Sequence, residues 1–198
     1  MFTDPLPRKK TRRKLFLDSD SLAALPLPPD GKLTELATQI EAAMKAGRPK
    51  DVHASSGEFL RAACDFYRVP QCGVRVLAAR PLRVREYSTS ELFGDYHPDG
   101  KAIRIWMRTA VRKEVTSFGT FLSTLCHEFC HHLDLEKFAF GDSWHTRGFY
   151  SRAAALYHHA KGTPVKQLLW MPMPRGRWRR DWQRTNRALS PERAGRTE

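Results

Sequence analysis

The sequence predicts an α+β fold, with several helices and a short antiparallel sheet that packs beside the helix carrying residues 127–131. Two observations support this class. Residues of β-type composition are confined to one stretch, residues 73–107, whereas apolar residues recur at helical spacing before and after it. Because strands and helices are segregated along the chain, a pattern of alternating strand–helix units does not fit.

Before the predicted sheet we expect a basic arm and two helices. Residues 1–31 are rich in charge and proline and have no sustained period, which is typical of a disordered segment. Apolar residues at helical spacing predict the first helix over residues 33–45. A second helix is predicted to begin at Ser55, because Glu58 three positions later completes a capping box.

The sheet and two more helices complete the predicted domain. The turn sequence at residues 97–100 predicts a hairpin between strands at residues 93–96 and 102–107. Apolar side chains three and four residues apart predict a long helix over residues 117–135. Ser143 is expected to cap a last helix, residues 144–160. We therefore assign residues 32–165 to one domain and residues 166–198 to a basic tail rich in Arg and Trp.

The net charge of +13 is concentrated at the two ends of the 198-residue chain. Residues 1–14 hold six Lys/Arg against one Asp, and residues 175–198 hold eight Arg against three acids, so each end carries +5. In the tail, guanidinium groups alternate with Trp178 and Trp182, which fits DNA binding because cations neutralise phosphates and exposed indoles stack on unpaired bases. The alternative is a solvated basic tail whose tryptophans dock onto the domain.

Composition also indicates in which cellular compartment the protein is expected. No apolar run approaches the length of a transmembrane helix, so no membrane association is expected. The four cysteines form no C-x-x-C pair, and we expect them to be reduced thiols in a cytoplasmic protein.

His127-Glu128-Phe129-Cys130-His131 reads as H-E-x-x-H inside the predicted helix of residues 117–135. Two histidines four residues apart lie one turn apart on the same helix face and can both reach one zinc ion. Glu128 is placed to take a proton from zinc-bound water and to deliver it to the leaving amine. The alternative for Glu128 is a charge on the helix surface.

A catalytic zinc site needs a third protein ligand, and His145 is the first candidate. It lies fourteen residues beyond His131, near the start of the next predicted helix, and its alternative is an exposed histidine at a helix start. Asp134 and Glu136 are weaker candidates because they lie too close to the motif helix. The metzincin spacing is excluded, since it requires Gly and His where this chain has Asp134 and Lys137.

These residues resemble the SprT-like (Spartan-type) zinc metallopeptidases. The likeness rests on the motif at residues 125–131, on His145-Thr146-Arg147-Gly148-Phe149, and on the strand at residues 101–107. The resemblance implies a zincin-like domain in which His127, His131 and His145 bind zinc and Glu128 is the catalytic acid and base.

The resemblance further implies that Phe149 packs the last helix against the motif helix. Two features depart from the family pattern: Thr146 stands where the family has glycine, and four scattered cysteines cannot build the zinc ribbon of several members. Because Spartan-type relatives degrade proteins attached to DNA, the resemblance also favours DNA as a partner of the basic ends.

The sequence therefore predicts a zinc metallopeptidase that hydrolyses peptide bonds in protein substrates, among them DNA-associated proteins. Two alternatives remain open. One is a basic nucleic-acid-binding protein whose zincin-like metal site is structural or inactive, and the other is a zinc hydrolase with a substrate other than protein.

Overall fold

The computed structural model describes residues 1–85 and 88–187, without the side chains of residues 82–90 and of residue 187. Its helices are α1 (Lys10–Ser21), α2 (Lys32–Lys45), α3 (Pro49–Tyr67), α4 (Phe118–Glu136), α5 (Arg147–Lys161) and α6 (Trp182–Arg187). Its strands are β1 (Gly73–Ala79), β2 (Leu82–Arg85), β3 (Ser88–Glu91), β4 (Gly94–His97), β5 (Ala102–Arg108), β6 (Trp170–Met173) and β7 (Arg177–Arg180). The α+β class is confirmed. The helices of the described part are all too short or too polar to cross a membrane.

The main sheet has the strand order β1-β5-β4 and is mixed, so the prediction of a purely antiparallel sheet is wrong. The predicted hairpin is confirmed: β4 pairs antiparallel with β5, and His97 lies opposite Ala102. However, β5 also pairs in parallel with β1, with Val74 beside Ile103. The turn sequence specified the β4–β5 pair, whereas no local signal distinguishes a parallel from an antiparallel neighbour on the other side of β5.

The second helix begins earlier than predicted. α3 starts at Pro49, which suits the first turn of a helix because that position needs no N–H donor. Val52 is fully buried and extends the apolar face by one turn. Ser55 and Glu58 therefore lie inside the helix, and the predicted capping box does not form.

The N-terminal arm is ordered, which corrects the expectation of disorder for residues 1–31. α1 has a weak apolar face of its own, but Phe16 and Leu25 are buried against the domain, and Asp20 pairs with Arg147 at the start of α5. Helices of this length are stabilised chiefly by tertiary packing. Periodicity alone therefore could not reveal α1.

α4 forms as predicted and is the centre of the core. Ser117 caps it, since its hydroxyl accepts a hydrogen bond of 3.2 Å from the Thr120 backbone N–H. The apolar face of α4 is fully buried against α3 and the sheet, with Phe121, Leu122, Leu125 and Phe129 at or below 1% exposure. All four cysteines are buried free thiols.

α5 begins at Arg147, three residues later than predicted, and its cap is Thr146 instead of Ser143. The Thr146 hydroxyl accepts a 3.0 Å hydrogen bond from the Phe149 backbone N–H. Ser143 lies in the preceding loop, where its hydroxyl has other partners. Both residues are suitable caps, and the choice between them depends on tertiary contacts of the loop.

A buried ion pair joins α4 to α5. Arg152 donates to Asp134 over 2.7 Å, with side chains 1% and 0% exposed, and it also donates to the carbonyls of Ser19 and Leu22 at the end of α1. One guanidinium group therefore connects α1, α4 and α5.

We expect Arg152→Ala to lower the free energy of unfolding by about 3–5 kcal/mol, because it leaves the Asp134 carboxylate buried without its partner. Urea denaturation measures the loss. The exposed pair Arg61–Glu58 is the control, and Arg61→Ala should leave the free energy of unfolding nearly unchanged because solvent screens this pair. Equal effects of the two substitutions would contradict a structural role for the buried pair.

Candidate metal centre

His127, His131 and His145 converge at one point, and we refer to them as the three-histidine cluster. Each offers one ring nitrogen, and these atoms all lie within 4.8 Å of one another. The Nε2 atoms of His127 and His145 are 3.1 Å apart. The structure thus brings together the three residues that the sequence singled out as metal ligands.

The local fold explains this convergence. His127 and His131 lie on one face of α4, one turn apart. The following loop turns back with positive φ at Ala139 (52°) and Gly141 (73°), which brings His145 onto the same face. Phe149 is fully buried and packs against all three histidine rings. Its ring centroid lies 4.9 Å from that of His127, 4.5 Å from that of His131 and 5.3 Å from that of His145.

Thr146, where the resemblance would have placed glycine, fits without strain. Its φ of −89° and ψ of 172° are extended backbone that any residue adopts. Its hydroxyl caps α5 and also lies 3.1 Å from the Ser19 hydroxyl. The substitution therefore leaves the backbone beside His145 in an ordinary conformation.

The second nitrogen of His131 is oriented by a short relay. His131 Nδ1 lies 2.7 Å from the Ser143 hydroxyl, which donates to Asp134 over 3.1 Å. In this arrangement Nδ1 carries the proton and Nε2 keeps its lone pair toward the cluster. Asp134, a weak candidate ligand from the sequence, instead contacts Ser143, which in turn contacts His131. Glu136, the other weak candidate, pairs with Lys101, the residue before β5.

His145 is held by a residue from the N-terminal segment. The Asp4 carboxylate accepts a 2.9 Å hydrogen bond from the His145 backbone N–H and lies 3.4 Å from Nδ1 of the ring. The Asp4 backbone N–H in turn donates to the His145 carbonyl over 2.9 Å. Burial tends to raise the pKa of Asp4, but the hydrogen bonds and charge of His145 outweigh it, so that the pKa is lowered.

Burial keeps His127 and His131 uncharged. Burial, and then the neighbouring imidazoles, lower the pKa of His127 to about 3 and that of His131 well below its usual range. At neutral pH both rings are therefore neutral and offer lone pairs. Imidazoles are ligands that zinc takes, and the outer nitrogens of His131 and His145 are oriented by Ser143 and Asp4.

Glu128 is not a surface charge, so that alternative is wrong. Its side chain is 7% exposed, and burial, followed by the charge of Asp95, raises its pKa to about 8. A hydrogen bond with the Tyr96 backbone acts in the opposite direction. β4 passes so close to α4 that a Cβ atom on Gly94 would lie 3.0 Å from Cγ of Glu128 and 2.6 Å from Thr124.

Two clefts meet at Gly94, His127 and Glu128. The first cleft, about 930 Å³, extends between α4, α5 and the C-terminal segment. The second cleft, about 510 Å³, lies between β4 and the loop before His145. Glu128 and the cluster are therefore reached from both sides.

The remaining histidines of the described chain lie outside the cluster. His132 is fully buried and contacts the Tyr96 hydroxyl and the Pro70 carbonyl, each over 2.8 Å. Tyr150 lies against His145, but its hydroxyl donates to the Phe2 carbonyl over 3.0 Å. Tyr150 therefore packs beside the cluster with its hydroxyl already engaged.

Sequence reasoning missed Asp4, the Ser143–Asp134 relay and Gly94. Asp4 lies 141 residues from His145 in a segment that shows no periodicity, so no local pattern points to it. For Ser143, the sequence indicated only a helix cap.

Comparisons of the chain with protein-family models, with curated proteins and with solved structures found no match. The chemistry of the site is accordingly inferred from its donors, their burial and their surroundings.

We expect Asp4→Ala to weaken zinc binding by about tenfold to a hundredfold, because the carboxylate no longer orients His145. Competition with a coloured chelator measures the affinity. Asp18→Ala, an exposed residue of α1, is the matched control and should leave affinity unchanged. His145→Ala should lose more affinity than either, and equal affinities for Asp4→Ala and the parent would refute the positioning role.

The metal-free protein should become less stable on acidification below pH 6.5. Unfolded His127 binds a proton there, whereas folded His127 does so only near pH 3, so the free energy of unfolding falls with falling pH. We expect this one residue to contribute about 1 kcal/mol per pH unit between pH 6 and 4. Urea denaturation with a chelator present should give a shallower pH slope for His127→Gln, and identical slopes would contradict a neutral buried imidazole.

Proposed function

We propose that the protein is a zinc metallopeptidase of SprT-like type that hydrolyses peptide bonds in protein substrates, including DNA-associated proteins. One observation carries the proposal: a buried carboxyl group, Glu128, lies beside three convergent imidazoles at the junction of two clefts. A structural zinc site is closed by four protein ligands, whereas three ligands facing a cleft leave room for water and substrate.

His127, His131 and His145 would hold the ion, which when bound supplies a Lewis acid for the substrate carbonyl and lowers the pKa of water. Glu128 is the group that moves the proton. Its buried position favours the protonated form, so that after accepting a proton from water it can return that proton to the leaving amine.

β4 would orient the substrate. Within the described chain this strand pairs on one side only, with β5, and its residues Gly94 and Asp95 line the clefts. An extended peptide can add to such a strand through backbone hydrogen bonds. Such pairing would hold the scissile carbonyl near Glu128, so that the carbonyl and the carboxyl group have a fixed orientation toward each other.

Only part of the described C-terminal tail supports DNA as a partner. Arg179 is exposed on β7, and Trp182 is 50% exposed beneath the Arg180 guanidinium. Trp178, in contrast, packs under Arg147 at 4.3 Å and pairs with Thr3, so this indole is docked and not available for stacking on bases. Residues 188–198, which complete the predicted basic tail, lie outside the described residues.

The rival function is a nucleic-acid-binding protein with an inactive site, and the exposed guanidinium groups of the tail favour it. We also propose that the protein is cytoplasmic. All four cysteines are free thiols, as is typical of proteins in a reducing compartment.

We expect Glu128→Gln to retain zinc and to lower cleavage of casein at least about a hundredfold, because the proton acceptor is lost. Glu41→Gln on α2 removes a carboxylate of the same type far from the clefts and should leave cleavage unchanged. Metal content and proteolysis are measured on the same samples. Unchanged proteolysis in Glu128→Gln would exclude the assigned role.

The same assay run with single- and double-stranded DNA tests the substrate class. Faster cleavage of a DNA-bound protein than of the same protein alone supports DNA-associated substrates. Zinc and DNA binding without any proteolysis would instead support the rival function.

A further inference from the structure

Beyond Glu128, the first cleft is lined by cations. Lys161 at the end of α5, Lys166 in the following segment and Arg180 on β7 all face it. Among the described residues, none of these three cations forms an ion pair with an acid. Glu91, the other acid in the lining besides Glu128, is already paired with Arg80 over 2.8 Å. The far part of the cleft therefore carries uncompensated positive charge.

Lys161 is held in place within this cleft. Its Nζ atom donates to the Tyr157 hydroxyl over 3.0 Å. Gly119 makes room for the pair, because a Cβ atom there would lie 3.3 Å from the Tyr157 hydroxyl and 3.8 Å from Nζ. Gly119 and Thr120 belong to the first turn of α4, whose positive dipole end adds to the charge of the lysine.

Arg180 is similarly oriented. Its guanidinium group stacks on Trp182 at 3.7 Å, and its buried Nε atom has no hydrogen-bond partner in the described structure. His158 lies among the cations: burial lowers its pKa, and the charges of Lys166, Lys161 and Arg180 lower it further. The three cations thus act on one region of the cleft.

We propose that this region is a substrate subsite that binds acidic side chains of the peptide to be cleaved. The inference rests on the proposed peptidase function, since the subsite opens directly onto His127 and Glu128. Its apolar floor, which includes Ala153, Ala154 and Leu168, suits the methylene groups of Glu, while the cations suit its carboxylate.

Charge distribution favours a peptide over a nucleic acid as the occupant. A polyanion that ran through both clefts would meet Asp95 and Asp142, which line the second cleft. Asp95 and Asp142 are paired with Arg104 and Arg12, so the second cleft is not cationic overall. A peptide can present acids to the first cleft alone.

The test uses quenched fluorescent peptides that differ only in Glu or Gln at positions on either side of the scissile bond. The full-length, zinc-loaded protein should cleave the best Glu peptide with a kcat/KM about fivefold above its Gln counterpart, the size expected for charged contacts in a partly exposed cleft. The double variant Lys161→Gln/Lys166→Gln should reduce this ratio to about one.

The matched control is Lys45→Gln/Lys50→Gln. It changes the net charge equally, and Lys45 also lies in the last turn of a helix, but neither residue lines the cleft. This variant should keep the full Glu preference. No Glu preference in the parent protein, or a preference that survives in the Lys161/Lys166 variant, would overturn the subsite.

Two further measurements separate the possible failures. If neither peptide is cleaved, the peptidase function fails, but fluorescence anisotropy of both peptides with zinc-loaded Glu128→Gln still reports the Glu preference and its loss. A single-stranded oligonucleotide is titrated in parallel. If the Lys161/Lys166 variant weakens oligonucleotide binding alone and leaves the Glu preference intact, the cleft binds nucleic acid and the proposal is wrong.

Discussion

The contact between Asp134 and Arg152 is the one on which the three-histidine cluster depends. Asp134 extends from α4 and accepts hydrogen bonds from Arg152 on α5 and from Ser143 in the intervening loop. Ser143 in turn orients His131. A single carboxylate therefore fixes the packing of two helices, the course of the loop that carries His145, and the ring of one ligand. Asp134 and Arg152 depend on each other, since a buried charge that loses its partner is costly.

The three-histidine cluster depends on the residues that surround it. The three imidazoles bring ring nitrogens within 4.8 Å of one another, and β4 covers the buried Glu128 beside them where it approaches α4 closely at Gly94. Side chains keep such a convergent arrangement only when their surroundings are themselves rigid. Phe149 below the rings and the Asp134–Arg152 pair behind them supply that rigidity.

The sequence was sufficient for whatever depends on local spacing. α4, the β4–β5 hairpin and the three histidines follow from periodicity, turn chemistry and residue type. It was insufficient for features that depend on contacts between residues far apart in the sequence. The order of α1 depends on Phe16 finding a pocket in the domain, the parallel pairing of β1 depends on where β5 inserts, and the contact of Asp4 with His145 spans almost the whole chain.

The two basic ends are not independent arms, because they contact each other beside the three-histidine cluster. Thr3 pairs with Trp178 through two hydrogen bonds, of 2.9 and 2.8 Å, and the next residue, Asp4, holds His145. The Met1 carbonyl accepts from the Arg180 backbone N–H, and Arg180 lines the first cleft. Residues 1–4 therefore lie between the tail and His145, so that a shift of this segment at the tail also shifts it at His145. Removing the tail would disturb His145 as well as any surface for DNA, and for this reason charge substitutions on β7 separate the two roles where truncation cannot.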